Sequence, residues 1–241
     1  MTVLFFLSGA TGLVFQVVFT RLLQYVFGST AFAASTVLAS FMGGMALGSA
    51  LLGRLADRVR RPLLAYGVVE LLIGLYCVTA PAIFDALTGL YVTLHHDHDL
   101  SLGTVTALRF GLSFAVILVP TCLMGATLPL LSRHVTHAED VDVGAGVSRL
   151  YAINTAGAAF GTLMATFVLL EVLGTAGTIQ WAAVANGLIF VASALMSRAV
   201  PPDPEVGAEQ DEGPAEAAPD GARLLMLGAF ASGCISFMYE V

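Results

Sequence analysis

The chain has 241 residues, 57% hydrophobic and 11% charged, with a mean hydropathy of +0.87. A soluble domain of this size covers its surface with about 25% charged residues, so ordinary cytosolic enzymes and secreted disulfide scaffolds are excluded. The net charge of −7 is local, because seven acids lie between Asp203 and Asp220 and the remaining ten balance ten arginines; there is no Lys and no basic patch for nucleic acid.

The predicted elements are apolar runs of about 20 residues or more, the length that crosses hydrocarbon as a helix. The first covers residues 3–27 and carries Gln16 and Arg21. It is too long for the apolar core of a signal peptide and lacks a basic start. The second covers 31–52, and the third covers 62–84 and carries Glu70. The fourth, 105–131, holds Arg109 near its start and Pro120 and Pro129 inside it. The fifth, 147–173, carries Asn154 and Glu171; the sixth is 178–196. The expected organisation is a six-helix membrane domain over 1–198, an acidic Pro-rich linker over 199–222 and the start of a seventh helix over 223–241. The lipid bilayer is thus the first partner.

Arginines set the expected orientation. Arg54, Arg58, Arg60 and Arg61 fall between spans two and three, Arg133 and Arg149 between four and five, and Arg198 and Arg223 flank the linker. In a zigzag chain these eight share one side. That side is expected to be cytoplasmic, with the N-terminus on it, in a cell inner (plasma) membrane.

A short internal repeat supports a second half. Ser8-Gly9 through Phe15-Gln16-Val17 aligns with Ser232-Gly233 through Tyr239-Glu240-Val241, after six spans and a linker. Two parallel six-helix halves give this pattern. On that reading the chain is one half plus the first turns of another.

Candidate functional residues are the polar groups inside spans, because each is costly in hydrocarbon. They are Gln16, Arg21, Glu70, Arg109, Asn154, Glu171 and, in the seventh run, Glu240. Gln16 and Arg21 are five residues apart and face about 140° from each other on a helix. Arg21 and Arg109 can each pair with an acid such as Glu70 or Glu171. A desolvated carboxylate at Glu70 or Glu240 suits a cationic substrate. Structural ion pairing and snorkelling are the plain alternatives. Gly44 and Gly48, and again Gly157 and Gly161, form GxxxG pairs that let helices cross closely. His95, His96 and His98, interleaved with Asp97 and Asp99, are expected in a solvated loop and offer only weak metal ligation. Cys77, Cys122 and Cys234 sit in apolar runs and read as small hydrophobes. No phosphate-binding loop, nucleophile elbow, zinc motif or cofactor fingerprint is present in the sequence.

Gly53-Arg54-Leu55-Ala56-Asp57-Arg58-Val59-Arg60-Arg61 resembles the cytoplasmic loop signature of the major facilitator superfamily, with Arg60 in place of that signature's second Gly. With Met124-Gly125-Ala126-Thr127-Leu128-Pro129 and Leu150-Tyr151-Ala152-Ile153-Asn154-Thr155, nearly the whole chain resembles the membrane region of fused major-facilitator/spermidine-synthase proteins. The resemblance implies an all-α half bundle that anchors a cytoplasmic aminopropyltransferase domain and feeds it polyamine. That domain's catalytic residues have no counterpart in these 241 residues. The family often carries Tyr-Glu where this chain has Phe15-Gln16, while Tyr239-Glu240 keeps the pair. A transporter half that assembles with partner helices, and a structural anchor, remain open as alternatives.

Overall fold

The computed structural model describes residues 1–28, 30–56, 58–98, 102–136 and 143–199. These residues are helical apart from short connections and fall in one compact unit, Met1–Asp203. The helices are α1 (Thr2–Phe27), α2 (Thr30–Ala56), α3 (Pro62–His98), α4 (Leu102–Thr136), α5 (Val143–Met164), α6 (Leu170–Val172) and α7 (Gly174–Ala199). A π-helical turn, Ala165–Leu169, joins α5 to α6, so that α5, the turn and α6 make one span. Among the described residues six helices are long and apolar enough to cross a membrane. The expected linker and seventh run, including Glu240, lie outside the described residues.

Local chemistry sets the helix ends. Gly28 adopts φ 65°, and its N–H donates to the Gln24 carbonyl at 2.9 Å, closing α1 with a left-handed cap. Gly174, also at φ 65°, lets the chain reverse between α6 and α7 almost without a loop. The α3 backbone stays helical through His98, so His95, His96 and His98 belong to its last turns and not to a loop as expected. No Gly or Pro interrupts residues 90–98, which explains the continuation.

The prolines are absorbed by neighbouring helices. Pro120 cannot donate to the carbonyl of Val116, four residues earlier. The Tyr76 hydroxyl of α3 donates to that carbonyl at 2.9 Å. Beside it, the Thr121 hydroxyl donates to the Ser40 carbonyl of α2 at 3.1 Å as well as to its own helix. Backbone groups freed inside a bilayer need such partners, since water is not there to supply them.

The most extensive packings join α2 with α4, α1 with α5, and α3 with α7. Exchanging spans one with four, two with five and three with six turns the first packing into the second and leaves the third unchanged. Two three-helix sets related by a pseudo-two-fold axis produce this rule, and the second set starts from the opposite face of the bundle. Glycines repeat it in detail. A Cβ on Gly44 or Gly48 of α2 would strike Thr121 or the Cys122 backbone of α4, and one on Gly125 of α4 would strike Met45. A Cβ on Gly157 or Gly161 of α5 would strike the Phe6 or Ala10 backbone of α1, and one on Gly9 would strike Asn154.

Two apolar cores form along the bundle. One gathers Val14, Phe19, Phe41, Ile73, Phe84 and Ile117; the other gathers Phe5, Tyr66, Leu131, Leu150 and Ile189. Val69 packs against both, so the residue next to Glu70 marks their junction. The outer surface is also apolar, with Trp181, Val184, Leu188, Val191 and Leu195 exposed at helical spacing on α7. A bundle apolar inside and outside has lipid as its solvent.

Candidate functional site

Glu70 lies at the junction of the two cores, 1% exposed, on the face of α3 that meets α1 and α7. The Ser8 hydroxyl of α1 donates to Glu70 Oε1. Tyr66 is one turn before Glu70 on the same face of α3, and its hydroxyl donates to the Leu4 carbonyl of α1 at 3.2 Å. From α7, Asn186 Nδ2 donates to the Glu70 backbone carbonyl at 3.2 Å. Asn186 Oδ1 and the Ser193 hydroxyl are buried, and neither has a hydrogen-bond partner among the described residues. Gly67 and Gly74 admit this pairing, because Ser193 packs on the first and Asn186 on the second. Three helices thus meet at Glu70 through neutral groups: Ser8 of α1 reaches its carboxyl and Asn186 of α7 its backbone carbonyl. A carboxyl buried in a membrane-spanning helix is expensive to keep.

The other sequence candidates are distributed. Gln16 is half-buried on α1 and receives the Thr20 hydroxyl on its carbonyl at 3.0 Å. Arg21 stands exposed on a different face of α1, in an open groove lined by Val17, Thr20, Arg21, Gln24, Tyr25 and Leu170. Gln16 is not on that wall, as their spacing requires. Arg109 Nη1 donates to the Val26 carbonyl at 3.4 Å, placing its charge on the C-terminal end of α1, where the helix dipole favours a cation. On sequence grounds each arginine could pair with an acid such as Glu70 or Glu171; the Glu70 carboxyl receives the Ser8 hydroxyl. Asn154 is half-buried and packs on Gly9, next to Ser8. Glu171 is exposed after the π-turn. His95, His96 and His98 are placed here by backbone only.

At the opposite end, Arg133 Nη1 donates to the Ala56 carbonyl at 2.6 Å and so caps α2 from α4. A Cβ on Gly53 would meet Pro129 at 3.7 Å, an ordinary contact, so this approach does not require glycine. Arg58, Arg60 and Arg61 are exposed around the turn into α3, and Asp57 lies outside the described residues. The end of α2 is thus tied to the end of α4.

Ser8, Tyr66, Asn186 and Ser193 were not among the sequence candidates for this site. Tyr66 carried a signal, since it precedes Glu70 by four residues. Asn186 and Ser193 are seven apart inside an apolar run, which puts them on one face. Ser8 gave no such cue, because one hydroxyl in a helix can bond its own backbone.

The profile described as Major Facilitator Superfamily matches residues 1–241. The chain is also similar to Polyamine aminopropyltransferase 2 of Streptomyces coelicolor (strain ATCC BAA-471 / A3(2) / M145), 30% identical over 174 residues. That alignment covers 70% of this chain and 29% of that protein, so the chain spans less than a third of its relative's length. No solved structure matches the chain.

Proposed function

The chain belongs to the Major Facilitator Superfamily, and from that premise we propose that it is a membrane module that passes a cationic amine to an aminopropyltransferase. The observation that carries this reading is the Glu70 carboxyl, buried where α3 meets α1 and α7, with the Ser8 hydroxyl as its donor. An ammonium group offers several N–H donors and a full positive charge. The likeness to a polyamine aminopropyltransferase supplies the substrate class.

In this reading the site works by exchange of partners. With α1 in place, Ser8 occupies the carboxyl. A shift of α1 away from α3 removes that hydroxyl and opens the carboxylate to an ammonium, which binds it by charge-assisted hydrogen bonds. The glycine crossings let α1 slide on α5 without side chains interlocking. The amine leaves when α1 returns. The arginine-bearing end of the bundle faces the cytoplasm, where a transferase domain receives the amine.

The test is uptake of labelled putrescine and spermidine into membrane vesicles containing the full chain. Glu70→Gln keeps size and hydrogen bonding but removes the charge, and should lower uptake at least tenfold at equal protein abundance, with Glu70→Asp retaining part of it. Equal uptake by wild type and Glu70→Gln would sink the proposal.

A further inference from the structure

The Arg21 groove has chemistry opposite to that of the Glu70 site. Val17, Thr20, Arg21, Gln24 and Tyr25 stand at i, i+3, i+4, i+7 and i+8, which makes them one face of α1. The opposite wall is Leu170, the residue that follows the π-turn, against which α1 packs. The turn adds a residue to one helical circuit, and such insertions recur at functional sites. It leaves Leu169 in the core while Leu170 lines the groove.

Nothing in the fold accounts for a charge here. Among the described residues, no hydrogen bond or ion pair reaches the Arg21 guanidinium. Arg109, not Arg21, covers the end of α1 at Val26. Arg21 lies six residues before Phe27, about 9 Å along the helix axis and beyond the last turn, where the dipole acts. A helix of 26 residues is about 39 Å long against a hydrocarbon core of about 30 Å. Arg21 therefore sits within about one turn of the hydrocarbon boundary. Thr20 already donates to the Gln16 backbone carbonyl, but Gln24 and Tyr25 line the same groove and carry further donors.

We propose that this groove is an anion site, in which Arg21, assisted by Gln24 and Tyr25, holds a phosphate or carboxylate group at the membrane boundary. A guanidinium offers paired N–H donors that match either group. A polyamine is repelled there, so the site is separate from Glu70 and stands whether or not that residue handles amines. The anion comes from a lipid headgroup or from a free solute.

Two measurements on the full chain distinguish the sources. Native mass spectra of protein released from phosphatidylcholine nanodiscs containing phosphatidylglycerol report retained anionic lipid. Thermal unfolding in zwitterionic detergent, with and without inorganic phosphate, reports a free anion. Loss of a charge-assisted contact corresponds to roughly tenfold weaker binding. Arg21→Gln should show that loss in one arm, Arg21→Lys should keep part of the binding, and Arg60→Gln, an exposed arginine elsewhere, should keep all of it. Loss in the lipid arm identifies a headgroup site, and loss of the phosphate-induced shift identifies a solute site. The proposal is overturned if Arg21→Gln matches wild type in both arms, which is the snorkelling result, or if Arg60→Gln loses as much as Arg21→Gln.

Discussion

A buried carboxyl in an apolar bundle is stable only while its oxygens have donors. Glu70 receives the Ser8 hydroxyl from a different helix. Ser8→Ala removes one donor without removing the acceptor. Leaving a buried acceptor unsatisfied costs about 1–3 kcal/mol, so this variant should unfold at lower temperature than wild type. In a Glu70→Leu background the same Ser8→Ala change should have little further effect, because the acceptor is gone. A double-mutant cycle on thermal or denaturant midpoints reads the difference, and equal effects in both backgrounds would refute the coupling. Tyr76 poses the same question for backbone. Tyr76→Phe strips the donor from the Val116 carbonyl freed by Pro120. Interhelical hydrogen bonds in membranes average about 0.6 kcal/mol and reach about 1.7, so a small but measurable loss of stability is expected.

At the scale of elements, close crossings decide which helices pair. Lipid tails are as apolar as leucine, so helices in a bilayer associate through packing contact more than through escape from water. Gly48 meets the Cys122 backbone and Gly161 meets the Ala10 backbone, and neither neighbour can rotate out of the way. Gly48→Leu or Gly161→Leu should therefore force α2 from α4, or α5 from α1. Overpacking of this kind costs about 1–3 kcal/mol. A Cβ on Gly89 of α3 would meet nothing within 4 Å, so Gly89→Ala should be neutral or stabilising by about 0.5–1 kcal/mol through helix propensity. Thermal midpoints in one detergent test the contrast. The sequence marks both GxxxG pairs, but the partner of each follows from the three-plus-three exchange, which no single run displays.

For the whole molecule, the arginines and the packing agree on which helix ends lie together. Arg133 reaches the end of α2, and Arg109 reaches the end of α1 at the opposite face. The proposed orientation puts Arg60 in the cytoplasm and Thr93 outside. In intact cells, an impermeant maleimide should label Thr93→Cys and not Arg60→Cys, and the reverse pattern would invert the topology. Native Cys77, Cys122 and Cys234 are first replaced by Ala, so that only the introduced thiol reacts. Among the described residues, the α1–α3 contact that carries Ser8 and Glu70 has no comparable mate between α4 and α7 under the exchange of the two sets. The candidate site therefore sits where the internal symmetry is broken.

By itself the sequence determined the class and most of the spans. Hydrocarbon imposes a length of about 20 apolar residues on each crossing, and that constraint is local, readable from composition alone. It also exposed Glu70, Arg21 and Arg109, because a charge inside an apolar run stands out wherever it points. Only the tertiary structure decided what those charges meet. It set Ser8 and Asn186 around Glu70, gave Arg109 the end of α1, and left Arg21 on an open groove beside a π-turn. Those outcomes depend on which faces of distant helices touch. That is fixed by glycine crossings between helices far apart in sequence, as where Gly161 of α5 meets Ala10 of α1, and no local pattern encodes it.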